Sequence, residues 1–423
     1  MNVLILAQYF PPDIGGAATR AYNLAKGLAL NGCNVNVIAA FPHYPHGNIP
    51  AEYRWKPLKT EWMGNIKVIK TFVPPLKSEG FFKRLLLMGS FTVSSLFALP
   101  FTGKIDAVWA SSWAPGWVYS RLKRCTLALN VDDLTIEDLI DLDLAKADSL
   151  LIRVSEWVYR LFYVKGDIIT PISPAYDKII EEKYCVQPSK IHLIRGGVDL
   201  SVFKPTPKSD VGTKFTVLYS GAFSIAYDFD QIFKAAKIVE KRDNTVEFVV
   251  QGKGALLSSM RDTVEKLKVK NVTIIDKLLS REAVSELLGQ ADVLVLPLVE
   301  FKKPYRGMSS KLYEYQAVGK PIICCSRGLP KDYVKETDSG IVVDPGDYQA
   351  LAEAVLELKN NPKLAQMLGK NGRARVESEA SIEAIGLAMK RVFETVKNDC
   401  LVLDEQECST QVNSQNLVIL EQS

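Results

Sequence analysis

A chain of 423 residues is longer than one hydrophobic core usually serves and sets the expectation of two domains. Its 47% hydrophobic and 24% charged content is that of a globular protein and excludes a disordered one. The formal net charge of +4 is too small to point to a nucleic-acid partner.

Charge is unevenly spread. Between Ala51 and Lys104, nine Lys/Arg stand against three Glu. That excess biases the first half toward an anionic surface, with a solvated basic face as the plainer explanation. Seven cysteines are scattered without a CxxC pair, which reads as reduced thiols in a cytosolic protein. Of three histidines, His43 and His46 share a Pro-rich loop that lacks a third ligand, so no metal site is expected.

The chain opens, without a signal-peptide pattern, on the apolar run Val3–Ala7, which reads as a buried strand. The loop Gln8-Tyr9-Phe10-Pro11-Pro12-Asp13-Ile14-Gly15-Gly16 follows. A helix with Ala21, Leu24, Ala25 and Leu28 on one face comes next, ended by Gly32. Strands are predicted at Val35–Ala39, Ile66–Thr71, Asp106–Ala110, Thr126–Val131 and Asp167–Pro171. The uncharged segment Leu85–Phe101 is too short and too interrupted to span a membrane, and reads as a buried or interfacial helix.

Pro205-Thr206-Pro207-Lys208-Ser209-Asp210 reads as a linker. A second series of strands is predicted at Phe215–Gly221, Val246–Gln251, Val272–Ile275, Val293–Pro297 and Ile322–Cys325. A last helix carries Ile382, Ile385, Met389, Val392 and Val396 along one stripe, before a polar tail. The fold class expected is α/β, two Rossmann-like doubly wound domains facing across a cleft. The expected divisions are 1–204, a linker at 205–212, 213–380, a returning helix at 381–398 and a disordered tail at 399–423.

The richest stretch is Ser309-Ser310-Lys311-Leu312-Tyr313-Glu314-Tyr315-Gln316-Ala317-Val318-Gly319-Lys320-Pro321. It reads as a two-turn helix capped by Ser309 or Ser310 and closed by Gly319, with Pro321 barring continuation. Its N-terminus is an anion site, and Lys311 and Glu314, three apart, share a face. A cation for a diphosphate and a carboxylate for sugar hydroxyls then stand side by side. A surface ion pair on an ordinary helix is the bland alternative.

These motifs together resemble family-four retaining glycosyltransferases of the GT-B fold. The resemblance rests on YFPPDIGG, on SSKLYEYQAVGKP, on Ile194–Pro205, on Val249–Gly254 and on Ala291–Pro297, in the family's order. It implies sugar transfer from a nucleotide-sugar donor to a glycan or lipid-linked acceptor, with retention and with no metal or other cofactor. The donor would bind the second half through Gly221, Gly252, Arg306, Gly307, Ser309, Ser310, Lys311, Leu312 and Glu314, with Gly15 and Gly16 approaching from the first half. Catalytic roles would fall to Asp133, Lys311 and Glu314. The expected setting is cytoplasmic, peripheral at the inner face of the cell membrane.

Three departures stand out. Arg306 occupies the position of the family's first glutamate, so contacts to the donor sugar would pass to the backbone of Gly307, Met308 and Ser309. Residues 221–228 hold no Lys or Arg, which leaves Lys311 as the main diphosphate cation. Asp132-Asp133 stands where the family carries one Asp; adjacent carboxylates on an extended chain point apart, and Asp133 is the one aligned with it, though either could cap the next helix. A dehydrogenase is excluded by the missing GxGxxG after the first strand. A nucleotide-sugar epimerase would want more histidines, while a sugar-nucleotide-binding protein without activity fits the same motifs.

Overall fold

The computed structural model describes residues 1–44, 47–77, 81–141, 145–208, 214–301 and 303–397. His46, residues 209–213 of the linker region and the tail from 398 lie outside the described residues.

The first domain is built on seven strands: β1 (Asn2–Leu6), β2 (Asn34–Ala40), β3 (Leu58–Met63), β4 (Ile66–Thr71), β5 (Ala107–Ala110), β6 (Thr126–Val131) and β7 (Ile168–Pro171). Their order is β3-β4-β2-β1-β5-β6-β7, parallel except for β3, which pairs antiparallel with β4 along the edge. The second domain holds β8 (Phe215–Ala222), β9 (Val246–Lys253), β10 (Val272–Asp276), β11 (Val293–Pro297), β12 (Ile322–Cys325) and β13 (Gly340–Val343). All are parallel, in the order β10-β9-β8-β11-β12-β13. Strand order reverses between β1 and β5 and again between β8 and β11, and ligands of such sheets sit at the carboxyl ends beside those reversals.

The central strands are continuous apolar runs because helices cover both of their faces. Val3, Leu4, Ile5 and Leu6 are fully buried, as are Cys324 and Cys325 of β12. β3 and β13 were not predicted. β3 (LKTEWM) lies half-exposed on an edge and carries no apolar run, and β13 is only four residues long.

The chain crosses between domains twice. After β13 and two further helices, residues 382–397 form a helix that packs on the first domain, with Ile385, Met389 and Phe393 buried beside Leu24 and Leu28. It lies backbone to backbone on the helix Gly16–Leu30: a Cβ on Gly27 would stand 2.0 Å from the Ile382 carbonyl oxygen. The Leu85–Phe101 segment is the helix Phe81–Leu96 and a single turn, Leu99–Phe101; Leu87 and Phe91 are buried while Leu85, Leu86 and Met88 are exposed.

Candidate active site

Loops at the carboxyl ends of both sheets face one another across the interdomain cleft. From the second domain come residues 225–227, after β8, and Leu298, Val299, Glu300 and Phe301, after β11. The helix Ser310–Ala317 starts beside them, and Asp138 and Asp141 of the helix Thr135–Asp141 close the opposite wall. The cavity they enclose measures about 530 Å³.

Ser309 takes the N-cap position with an extended backbone, but its hydroxyl makes no capping bond. Other helices of this domain are capped: Asp228 accepts from the Gln231 amide and Ser280 from the Ala283 amide. The expectation of a serine cap therefore fails here, and Ser309 and Ser310 line the cavity instead. Leu312 turns a fully buried side chain into the core and donates its amide to the Ser309 carbonyl. The first-turn amides left for an anion are those of Ser310 and Lys311.

Lys311 extends back over the end of β8. Its ammonium donates to the Tyr227 hydroxyl at 3.2 Å and lies 5.1 Å from the centre of that ring and 5.9 Å from that of Tyr219. Gly221, at φ 152°, makes room, since a Cβ there would stand 2.2 Å from Lys311 Cε. Gly252, at φ 155°, does a different job: its Cβ would meet the Gly221 carbonyl oxygen at 1.7 Å. It lets β8 and β9 close up behind the loop and is not part of the cavity wall.

One turn on, Glu314 is half-buried between two cations. Burial pushes its pKa up, while Arg281 and Lys311 pull it back. Arg281 also stacks over Phe203, 5.1 Å from the ring centre, and its guanidinium donates to the Thr19 hydroxyl of the first domain at 3.5 Å. Thr19 stands one turn into the helix that follows Gly15 and Gly16. A side chain at Gly15 would touch only the Tyr44 ring, at 3.6 Å, and one at Gly16 would meet open space among the described residues. The loop therefore leaves that helix start unobstructed.

On the first-domain side Asp132 and Asp133 point apart. Asp132 pairs at 2.8 Å with Arg20, a nearly buried guanidinium that also donates to Asn130 and to the carbonyls of Ile194 and Arg195. Asp133 keeps an exposed side chain and is not among the residues lining the cavity, while desolvation by the surrounding protein and the charge of Asp132 raise its pKa. Asp138 is pushed up to about 6 by burial and by Asp133, against the pull of Arg306. Arg306 reaches across to Asp141 at 2.5 Å, Lys303 pairs with the same carboxylate, and Ser173 donates to the Arg306 carbonyl at 2.6 Å. Gly307 keeps this loop tight, as its Cβ would lie 2.4 Å from the Tyr305 hydroxyl oxygen. Sequence reasoning missed Arg281, Asp138, Asp141 and Tyr227. A signal existed only for Arg281, which directly follows the helix cap Ser280.

Of the candidate residues, Arg306, Ser309, Ser310 and Lys311 line the cavity, with Glu314 one turn behind. Two family models match this chain: Glycosyltransferase Family 4 over residues 14–202 and Glycosyl transferases group 1 over residues 204–375. The chain is 23% identical over 389 residues to a putative colanic acid biosynthesis glycosyl transferase, WcaI, of Escherichia coli, covering 86% of this chain and 93% of that one. It spans about half the length of some other relatives, 43% of one and 54% of another. Among solved structures it resembles sucrose-phosphate synthase from Thermosynechococcus elongatus, with a TM-score of 0.72 at 19% identity, covering 94% and 100% of the two chains. It also resembles Anabaena HepE in complex with UDP and glucose, with a TM-score of 0.64 at 15% identity, covering 93% and 99%. With two parallel-sheet domains and a cleft built at both sheet reversals, the chain is a group 1 glycosyltransferase of the GT-B fold.

Proposed function

We propose that the protein transfers a sugar from a nucleotide-diphosphate-sugar to a glycan or lipid-linked acceptor, with retention of configuration and without a metal ion, in polysaccharide or glycolipid biosynthesis. The observation that carries this is the position of the Lys311 ammonium, held by Tyr227 at the start of the helix Ser310–Ala317 and at the reversal of the second sheet.

As the bond between the sugar and the diphosphate breaks, negative charge gathers on the leaving phosphate oxygen. Preorganised donors aimed at that charge give the largest stabilisation. Lys311 and the amides of Ser310 and Lys311 supply it, with the helix N-terminus adding its dipole. Glu314, whose charge is offset by Arg281 and Lys311, would accept from sugar hydroxyls of the donor in this reading. The loop Lys303–Arg306 and the acidic wall of Asp138 and Asp141, with Asp133 beside it, then frame the sugar and the incoming hydroxyl. Retention comes to this reading from the family resemblance, and a UDP-sugar is favoured by the likeness to a neighbour solved with UDP and glucose. The proposed setting is cytoplasmic, peripheral to the inner face of the cell membrane.

Incubation with UDP-, GDP- and dTDP-sugars in the presence of a chelator should release nucleoside diphosphate once an acceptor is supplied. NMR of the product should show the donor's anomeric configuration. Inversion, or dependence on a divalent ion, would overturn the corresponding part of the reading. Arg306, tied to Asp141 where the family has glutamate, favours a second reading as a sugar-nucleotide-binding protein. Binding of a nucleotide-sugar with no transfer to any acceptor would select it.

A further inference from the structure

Two helices of the first domain carry apolar residues where a surface helix is normally polar. In Leu150–Lys165, the inner face is buried through Ile152 and Tyr163, yet Leu150, Val154, Trp157, Leu161 and Val164 recur at the helical period on the outside. Trp157 is 62% exposed and Leu150 77%. The helix Phe81–Leu96 repeats the pattern, with Leu85, Leu86 and Met88 each more than half exposed. Both pack against the helix Trp113–Lys123, which lies between them. Exposed apolar surface on this scale marks an interaction face.

The charge these helices carry says what covers their apolar face. The three helices carry seven Lys/Arg and a single acid, Glu156, which is paired with Lys183. A second copy would set that positive face against itself, since the same patch meets itself in a two-fold dimer. An anionic bilayer complements both properties, with apolar side chains entering the headgroup boundary and basic ones meeting lipid phosphates. Among the described residues no helix is long and apolar enough to cross a membrane.

Direction matters as well. Each helix runs back from the carboxyl edge of the sheet to the start of the next strand, β5 or β7, so both N-termini stand at the cleft side. Leu85, Leu86, Leu150 and Leu151 therefore lie at the end of the face nearest the cleft. We propose that the outer face of the helices Phe81–Leu96 and Leu150–Lys165 docks on an anionic lipid bilayer and that the acceptor is a lipid-linked amphiphile. Its apolar chain would stay in the bilayer while its headgroup enters the cleft. The acceptor assignment rests on the transferase reading above; the docking face does not.

Flotation of the full chain with phosphatidylcholine vesicles, with and without 30 mol% phosphatidylglycerol, tests this. Wild-type protein should float with the anionic vesicles at low salt and be released at high salt. Arg153→Gln with Arg160→Gln should cut the partition coefficient about 25-fold, at roughly fivefold per basic residue. Leu151→Glu with Trp157→Glu should abolish flotation while UDP binding by calorimetry stays unchanged, which separates docking from unfolding. Wild-type protein left at the bottom with anionic vesicles would overturn the proposal. So would variants that float equally well, or a dimer in light scattering that Trp157→Glu breaks while no vesicles bind. Flotation without binding of any nucleoside diphosphate would count against the transferase reading alone and leave the docking face standing.

Discussion

Lys311 lies where a side chain on residue 221 would be: a methyl group on Gly221 would stand 2.2 Å from Lys311 Cε and 2.7 Å from its nitrogen. The obstructed atoms are the far end of a flexible chain, so Gly221→Ala should displace the ammonium, and φ 152° adds backbone strain of its own. Losing a charge-assisted bond to the diphosphate costs about 1.5–3 kcal/mol, or roughly 10- to 150-fold in turnover. Lys311→Ala should match it, and the double variant should be no worse than either alone. Additive losses in steady-state kinetics would show that Gly221 acts by another route.

Glu314 should set the acid limit of nucleotide binding. Burial raises its pKa despite Arg281 and Lys311, so it takes up a proton at a higher pH than an ordinary glutamate as the solution is acidified. A protonated carboxyl accepts hydrogen bonds less well, so affinity for UDP should fall toward acid pH. Glu314→Gln should bind weakly throughout and show a flatter profile by calorimetry. Parallel profiles for variant and wild type would assign the pH dependence to the diphosphate itself.

The parts of this site legible in sequence are those set by local spacing. Lys311 and Glu314 are three residues apart, and the helix geometry puts them together whatever surrounds them. The central strands were legible because burial on both faces leaves unbroken apolar runs such as Val3–Leu6. Asp141 and Arg281 were not, since each is a single charge on a distant element that only the fold brings to the cleft. Gly252, expected among the donor-binding residues, shows a second role that no sequence pattern announces: the absence of a side chain there lets the Gly221 backbone come close. The failed serine cap at Ser309 is a local rule overridden at a site whose polar groups line a cavity.

Closure of the last helix on the first domain depends on two glycines. A Cβ on Gly386 would stand 2.1 Å from the Gly27 carbonyl carbon, and one on Gly27 3.1 Å from the Gly386 Cα. The obstruction is backbone on both sides and cannot rotate away. Gly27→Ala or Gly386→Ala should therefore lower stability by about 1–3 kcal/mol, as overpacking does, in denaturant unfolding. A surface change such as Lys370→Ala should leave it within about 0.5 kcal/mol.

Asp141 holds two cations of the other domain, Lys303 and Arg306. Asp141→Asn removes both attractions at once and should shift the two domains toward a more open arrangement, seen as a larger radius of gyration in X-ray scattering. Saturating UDP should bring it back in part, because the nucleotide also bridges the cleft in the proposed reading. An unchanged scattering profile would mean that the Ser173 bond to the Arg306 carbonyl and the two chain crossings hold the cleft without the ion pairs.

Asp138 carries a stability cost of defined sign. Its carboxyl titrates near 6 in the folded protein, raised by burial and by Asp133, against about 3.8 for the unfolded chain. The folded state therefore holds the proton more tightly, and stability linked to this group is greatest below pH 4 and is lost as pH rises through 6. At pH 7.5 the ionised carboxylate should cost on the order of 1–2 kcal/mol, discounted for its partial exposure. Asp138→Asn removes that cost, so the variant should unfold at higher denaturant than wild type at pH 7.5 and at the same concentration at pH 4. If Asp138 also contacts the incoming hydroxyl, the stabilised variant should lose turnover while keeping its affinity for UDP. A variant that gains stability and keeps full activity would make the raised carboxyl a by-product of crowding with Asp133. Destabilisation at pH 7.5 would instead mean that the pull of Arg306 outweighs burial.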